Sequence, residues 1–228
     1  MHVLAIDTAL AACAAAIFDS VADEVVHSES LPLERGHAEA LMPLIARVMQ
    51  DAGLAFSQLD RIAVTIGPGS FTGLRVGIAA ARGIALAAGK PVVGISTLAA
   101  YCAPALADDL ADTVLAAIDA RHGHVYMQMA GGERFRIPPT YASLADALRA
   151  IEPAQGEVHL AGSAAHLIAE HWPAGKRPPM VRRAGPVPEI EWVARLAVRA
   201  DPQISPAKPL YLRAPDARPQ QAARLPRQ

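Results

Sequence analysis

At 228 residues the chain can hold one large or two small domains, and 52% hydrophobic with 19% charged residues is ordinary for a globular protein with ample core. The formal net charge of -1 gives no whole-molecule field for gripping nucleic acid, and Cys13 and Cys102 form no C-x-x-C pair. No apolar run reaches membrane-spanning length without Gly, Pro or charge, and the opening MHVLAID lacks a secretory layout, so a cytoplasmic protein with no membrane contact is expected.

Val3 to Asp7, Cys13 to Asp19 and Glu24 to Ser28 read as three antiparallel strands joined by short turns, with Asp7-Thr8 as their polar end. From His37 to about Ala52, Leu41, Leu44, Ile45, Val48, Met49 and Ala52 recur at helical spacing, and Gly53 stops the helix. Pro43 predicts a bend there, or a helix that begins close to it. Arg61 to Ile66 is a β-branched strand, Gly67-Pro68-Gly69-Ser70 a turn, and Thr72 a candidate cap for an Ala-rich helix closing at Gly89 and Pro91.

Gly67, Gly69 and Ser70, together with Asp7 and Thr8, are the candidates for a nucleotide or anion contact, since a helix N-terminus exposes unpaired amides. The spacing G-x-G-x-x-x-G, with no Lys-Ser/Thr after it, fits neither the dinucleotide fingerprint nor the P-loop. A tight turn that merely seats a helix is the favoured reading of the loop, and bonding to strand-end amides the favoured reading of Asp7 and Thr8.

The helix itself is almost bare, because Gly73, Gly77, Ala80, Ala81, Gly83, Ala85, Ala87 and Ala88 fill most of it. An interior glycine costs about 1 kcal/mol against alanine, so something must approach closely, either the chain's own sheet or a partner helix. Arg75 and Arg82 share one face, and Val76, Ile78, Ile84 and Leu86 supply apolar area elsewhere.

A strand at Val92 to Ser96 and a helical stretch from Thr97 toward Leu106 follow. Next, Leu115 to Met129 repeats the pattern of Val3 to Ile17: apolar strand, Asp, turn, apolar strand. Asp119 stands 112 residues after Asp7, about half the chain, which points to duplication. The second copy continues through a helix at Leu144 to Ile151, a strand and turn at Val158 to Ser163 and a helix at His166 to His171, and places Gly162-Ser163 where the first has its Gly-Pro-Gly-Ser. Glu189 to Arg199 reads as one more helix, and Lys208 to Gln228 carries five basic residues against one acid in what is more often a solvated end than an RNA contact.

No catalytic or metal set emerges. His37 has Leu41 one turn on, where a second metal ligand would be needed, and Ser70 has no histidine and carboxylate that spacing can nominate. The alternation of strands and helices with two Asp-tipped hairpins fits an α/β chain of two ribonuclease-H-like domains, as in the actin, sugar kinase and Hsp70 (ASKHA) superfamily. These would be residues 1–107 and 108–214, with 215–228 a flexible tail. The superfamily's phosphate hairpin reads D-x-G-x-T/S, whereas here it is Asp7-Thr8-Ala9-Leu10-Ala11.

Ile66-Gly-Pro-Gly-Ser-Phe-Thr-Gly-Leu-Arg-Val-Gly77, with Leu4-Ala-Ile-Asp-Thr8, His37-Ala-Glu-Ala-Leu-Met-Pro43, Asp119-Ala-Arg-His-Gly-His-Val-Tyr126 and Tyr211-Leu-Arg213, resembles the TsaB family, also called YeaZ. The resemblance implies a non-catalytic partner, without cofactor or metal, needed to place the threonylcarbamoyl group on the adenosine beside the anticodon in tRNAs reading codons that begin with A. It implies binding to the transferase TsaD through the first two helices, with the ATPase TsaE joining, a homodimer when alone, and tRNA reached only through the complex. On those helices it nominates Leu41, Leu44, Ile45, Val48, Arg75, Val76, Gly77, Ala80, Gly83 and Ile84. The competing readings are an independent ATPase or kinase-like enzyme, and a peptidase for which no nucleophile or metal set is found.

Overall fold

The computed structural model describes residues 1–107, 113–131, 136–154 and 156–213. Strands β1 (His2–Asp7), β2 (Ala12–Asp19) and β3 (Glu24–Pro32) precede α1 (His37–Asp51), β4 (Arg61–Gly67), α2 (Phe71–Ala88), β5 (Val92–Ser96) and α3 (Thr97–Ala107). A second run holds β6 (Thr113–Asp119), β7 (His124–Ala130), β8 (Ile137–Ser143), α4 (Leu144–Ile151), β9 (Val158–Ala161), α5 (Ala165–Glu170), β10 (Met180–Arg183) and α6 (Ile190–Arg199).

Two five-stranded sheets result, ordered β3-β2-β1-β4-β5 and β10-β9-β6-β7-β8, which is one order read from opposite edges. In each, the first strand runs antiparallel to its hairpin partner and parallel to the strand that follows the first helix. This is the duplicated ribonuclease-H-like α/β topology expected from the sequence.

The repeat is offset by one residue from the sequence match. Leu4 pairs with Ile17 and Ile62, and Leu115 pairs with Met129 and Leu160, all of them facing the helices of their own half. Leu115 is thus the counterpart of Leu4, 111 residues on, and Asp119 stands where Thr8 does rather than where Asp7 does. The same register puts Gly162-Ser163 opposite Val64-Thr65, because β9 leaves its sheet before β4 leaves the other. A strand has a period of two, so a one-residue slip exchanges the faces.

Each sheet is covered on both sides. In the first, Leu4, Ile6, Cys13 and Ile17 meet α1 and α2, while Val3, Ala5, Ala16 and Phe18 meet Ile190, Val193, Ala194 and Ala197 of α6. In the second, Leu115, Val125 and Met127 meet α4 and α5, and Val114, Ala116 and Ile118 meet Leu98, Tyr101, Cys102 and Ala105 of α3. The sequence placed residues 190–214 with the second copy; instead α6 returns to cover the open apolar face of the first sheet. Beyond it, Gly94 N donates to the Ser205 carbonyl (2.9 Å) and Leu210 N to the Ile66 carbonyl (2.7 Å), which ties the last described stretch to that sheet. The expected tail, 215–228, lies outside the described residues.

Local signals shift two boundaries. Helix α1 runs from His37 straight through Pro43 rather than starting there. Helix α2 begins at Phe71, capped by Ser70, whose Oγ accepts from Gly73 N (3.3 Å), so Thr72 sits inside the first turn and is not the cap. Gly89, at φ 65°, closes it in the left-handed conformation open to glycine.

Candidate functional site: a filled hairpin and an apolar helix face

The β1–β2 turn interlocks with the start of α2. Asp7 is 2% exposed, and its Oδ1 accepts from Ala9 N (2.9 Å) and Thr65 Oγ1 (2.5 Å). Burial pushes its carboxyl above the ordinary aspartate range, opposed by the Thr65 and Ala9 hydrogen bonds and by His37. Thr8 Oγ1 donates to the Gly73 carbonyl (2.7 Å), and Ser70 N donates to the Ala9 carbonyl (2.7 Å).

The glycines of this region are shaped to that contact. A Cβ on Gly69 would lie 2.2 Å from the Ala9 oxygen, one on Gly73 2.1 Å from the Thr8 oxygen, and one on Gly77 2.3 Å from Thr8 Oγ1. Gly67 holds φ 109° beneath the Leu210 carbonyl, 3.0 Å from where its Cβ would stand. Of the five sequence-nominated anion contacts, Asp7, Thr8 and Ser70 spend polar groups on Ala9, Thr65 and Gly73, while Gly67 and Gly69 press on the Leu210 and Ala9 carbonyls. Only Gly69 and Ser70 reach the rim of a cavity of about 630 Å³ between the two hairpins, shared with Arg35, Asp119, Arg121 and Ser163. His37 also lines this cavity, with its Nε2 engaged 3.0 Å from the Leu10 carbonyl. Among the described residues no three His, Cys, Asp or Glu side chains converge on a point that could hold a metal.

The helix residues nominated for a partner divide sharply. Leu41, Leu44, Ile45 and Val48 are at most 1% exposed and pack on the first sheet, Ile84 is buried with them, and Gly77 is closed off by Thr8. Six of the ten are thus used within the chain, because on an amphipathic helix the most regular apolar stripe is the one that faces the core. Arg75, Val76, Ala80 and Gly83 remain outward or half-buried. Arg75 is itself engaged: its guanidinium lies 3.8 Å over the Phe71 ring, and its Nε donates to Tyr211 Oη (3.2 Å), while Phe71 stacks on Tyr211 at 5.0 Å.

The outward apolar residues absent from the nominated ten are Met42, 49% exposed, and Leu86, 86% exposed and read from the sequence only as apolar area of its helix, with Ala46, Ala79 and Ala87 also outward. Their signal was available as apolar residues off the core stripe. The exposed charged side chains of α1 and α2 are Glu39, Arg47, Asp51, Arg75 and Arg82, and between them Met42, Leu86 and the alanines leave apolar area that suits another apolar surface.

Comparison with known proteins bears on the same chain. Residues 24–167 match the family model described as TsaD, tRNA N6-adenosine threonylcarbamoyltransferase. The tRNA threonylcarbamoyladenosine biosynthesis protein TsaB of Escherichia coli is 40% identical over 126 residues, 55% of this chain and 53% of that protein. A solved Pseudomonas aeruginosa protein, described as similar to peptidase YEAZ, superposes with a TM-score of 0.75 at 28% identity, over 93% of this chain and 99% of that one. The chain belongs to the TsaB family. An uncharacterized Mycobacterium bovis protein extends the likeness along the chain, at 35% identity over 95% of it and 94% of that relative. The aligned stretch spans about half the length of the E. coli TsaB protein. The family model places residues 24–167 of this chain in one family with the transferase.

Proposed function

We propose that the chain is a non-catalytic subunit for tRNA threonylcarbamoyladenosine formation, binding and activating a TsaD-type transferase across the outward face of α1 and α2. TsaE joins that pair, tRNA is reached through the complex, and the chain pairs with itself when alone, in the cytoplasm. The observation that carries this reading is the filled hairpin: Thr8 and Ala9 spend their polar groups on α2, where a kinase-like relative would hold phosphate. The two sheets are proposed as two domains, with the stretch from α6 to Arg213 completing the first.

Depletion of the protein, followed by mass spectrometry of tRNA nucleosides, is expected to remove the modified adenosine; its persistence would contradict the reading. Calorimetry with purified TsaD is expected to show weaker binding for Gly83→Leu, since position 83 opens to solvent. The cavity between the hairpins favours an independent ATPase, and a titration of the isolated chain with Mg-ATP separates the two readings.

A further inference from the structure

The residues before Ile62 and Leu160 occupy equivalent places, since those two pair with Leu4 and Leu115 in the middle of their sheets. Both precede a core residue and so face the opposite side. In the first sheet the residue is Arg61, whose guanidinium reaches the end of α6 and donates to the carbonyls of Ala197 and Ala200. In the second it is His159, 1% exposed, with Nε2 3.1 Å from Glu157 Oε1. Its Nδ1 has no hydrogen-bond partner among the described residues. Buried polar atoms are seldom left so.

What adjoins His159 is a cavity of about 530 Å³ between α3, β10 and the loop 184–189. Ala100, Pro104, Ala105 and Val187 give it apolar walls, and Tyr101 Oη donates to the Gly185 carbonyl (3.0 Å), which pins the loop. Arg183 is paired with Glu189, so the lining carboxylate is already neutralised. Arg182 is exposed at the same cavity and enters no hydrogen bond or ion pair among the described residues.

We propose that this cavity binds a small hydroxylated anion, with Arg182 on the anionic group and His159 Nδ1 on the hydroxyl. With Glu157 accepting from Nε2, the neutral ring keeps its lone pair on Nδ1 and takes a donor, which a hydroxyl supplies. The Arg182 guanidinium feels the Glu157 carboxylate only at a distance, and its paired N–H groups suit a phosphate or a carboxylate alike. The proposal does not rest on the partner-subunit reading, since the cavity lies on the α3 face of the second sheet, away from α1 and α2.

The test is nitrogen-resolved NMR of the histidine rings in the full chain, titrated with glycerol 3-phosphate and with glycerate, using glycerol and inorganic phosphate as controls. A saturable shift of the His159 Nδ1 signal is expected with at least one of the two anions, the responding arm naming phosphate ester or hydroxy acid. Arg182→Gln, a surface change, is expected to weaken that response about tenfold, a loss of about 1.4 kcal/mol. His159→Leu removes the reporter, so binding in that variant is followed by calorimetry and is expected to be lost. No saturable shift below about 10 mM, an equal response to inorganic phosphate alone, or undiminished binding in Arg182→Gln would each overturn the assignment.

Discussion

A methyl group added at Gly73 would meet the Thr8 carbonyl at 2.1 Å, whereas one added at Gly83 would meet nothing within 4 Å. Gly73→Ala is accordingly expected to destabilise the fold by about 1–3 kcal/mol through overpacking, and Gly83→Ala to stabilise it by about 0.5–1 kcal/mol through helix propensity. Urea unfolding of both variants checks this, and equal effects at the two positions would mean the hairpin does not press on the helix. The distinction was half legible beforehand. Gly73 and Gly77 stand four apart in α2, hence on one face, and Gly83 falls outside that series. Spacing showed that something approached, but not that it was the Thr8-Ala9 backbone, because that contact joins residues 65 apart. At Asp7 the pKa shift gives a pH dependence. Its carboxyl is raised by burial, so its contribution is fully present below the ordinary aspartate range near 4 and is lost as pH rises through the folded value. Asp7→Asn keeps an acceptor for Ala9 N and Thr65 Oγ1 without the charge. Its unfolding midpoint is expected to exceed the parent's at pH 7.5 and to lose that advantage toward pH 4, and a parent that gains more than the variant toward neutrality would contradict this sign.

At the level of elements, caps and covers were read with different success. The strand, turn and helix around Gly67 followed from β-branching, glycine and an Ala-rich run, yet the cap fell on Ser70 rather than Thr72 because the turn is shorter than the hydroxyl pattern implied. Ser70→Ala is expected to cost about 1 kcal/mol and Thr72→Ala a few tenths, readable as a difference in thermal midpoint and in exchange of the Gly73 amide. Strands β8 and β10 were missed for a physical reason. Both are sheet edges; β8 carries Pro138 and Pro139, and β10 has four residues with neither face fully buried, so neither shows an apolar period. The place of α6 was equally hidden. Its amphipathic pattern says that it covers an apolar face, while which of two such faces it covers is decided by Arg61 and by the hydrogen bonds of Gly94 and Leu210, all distant in sequence.

For the whole molecule, the question is what the outward face of α1 and α2 does when no partner is supplied. Leu86 stands 86% exposed and Met42 49%, beside a helix surface where Ala79, Gly83 and Ala87 leave room for close approach. Burying such area is favourable by about 25 cal/mol per Å² before the costs of association, so a second copy of the same face is its simplest cover. A two-fold pairing sets this face against its own copy, so a charge introduced at its apolar centre would be desolvated without a partner. Leu86→Glu is therefore expected to shift a concentration-dependent dimer toward monomer by about tenfold or more in dissociation constant, with little change in unfolding of the monomer, because Leu86 touches no core. Arg47→Glu, on the α1 part of this face and bound to Glu29, is expected to cost local stability through the lost ion pair as well as to weaken dimerisation. Sedimentation across a range of concentrations reads both. A Leu86→Glu chain that dimerises as tightly as its parent would move the self-association surface off these helices, and with it the surface assigned to TsaD.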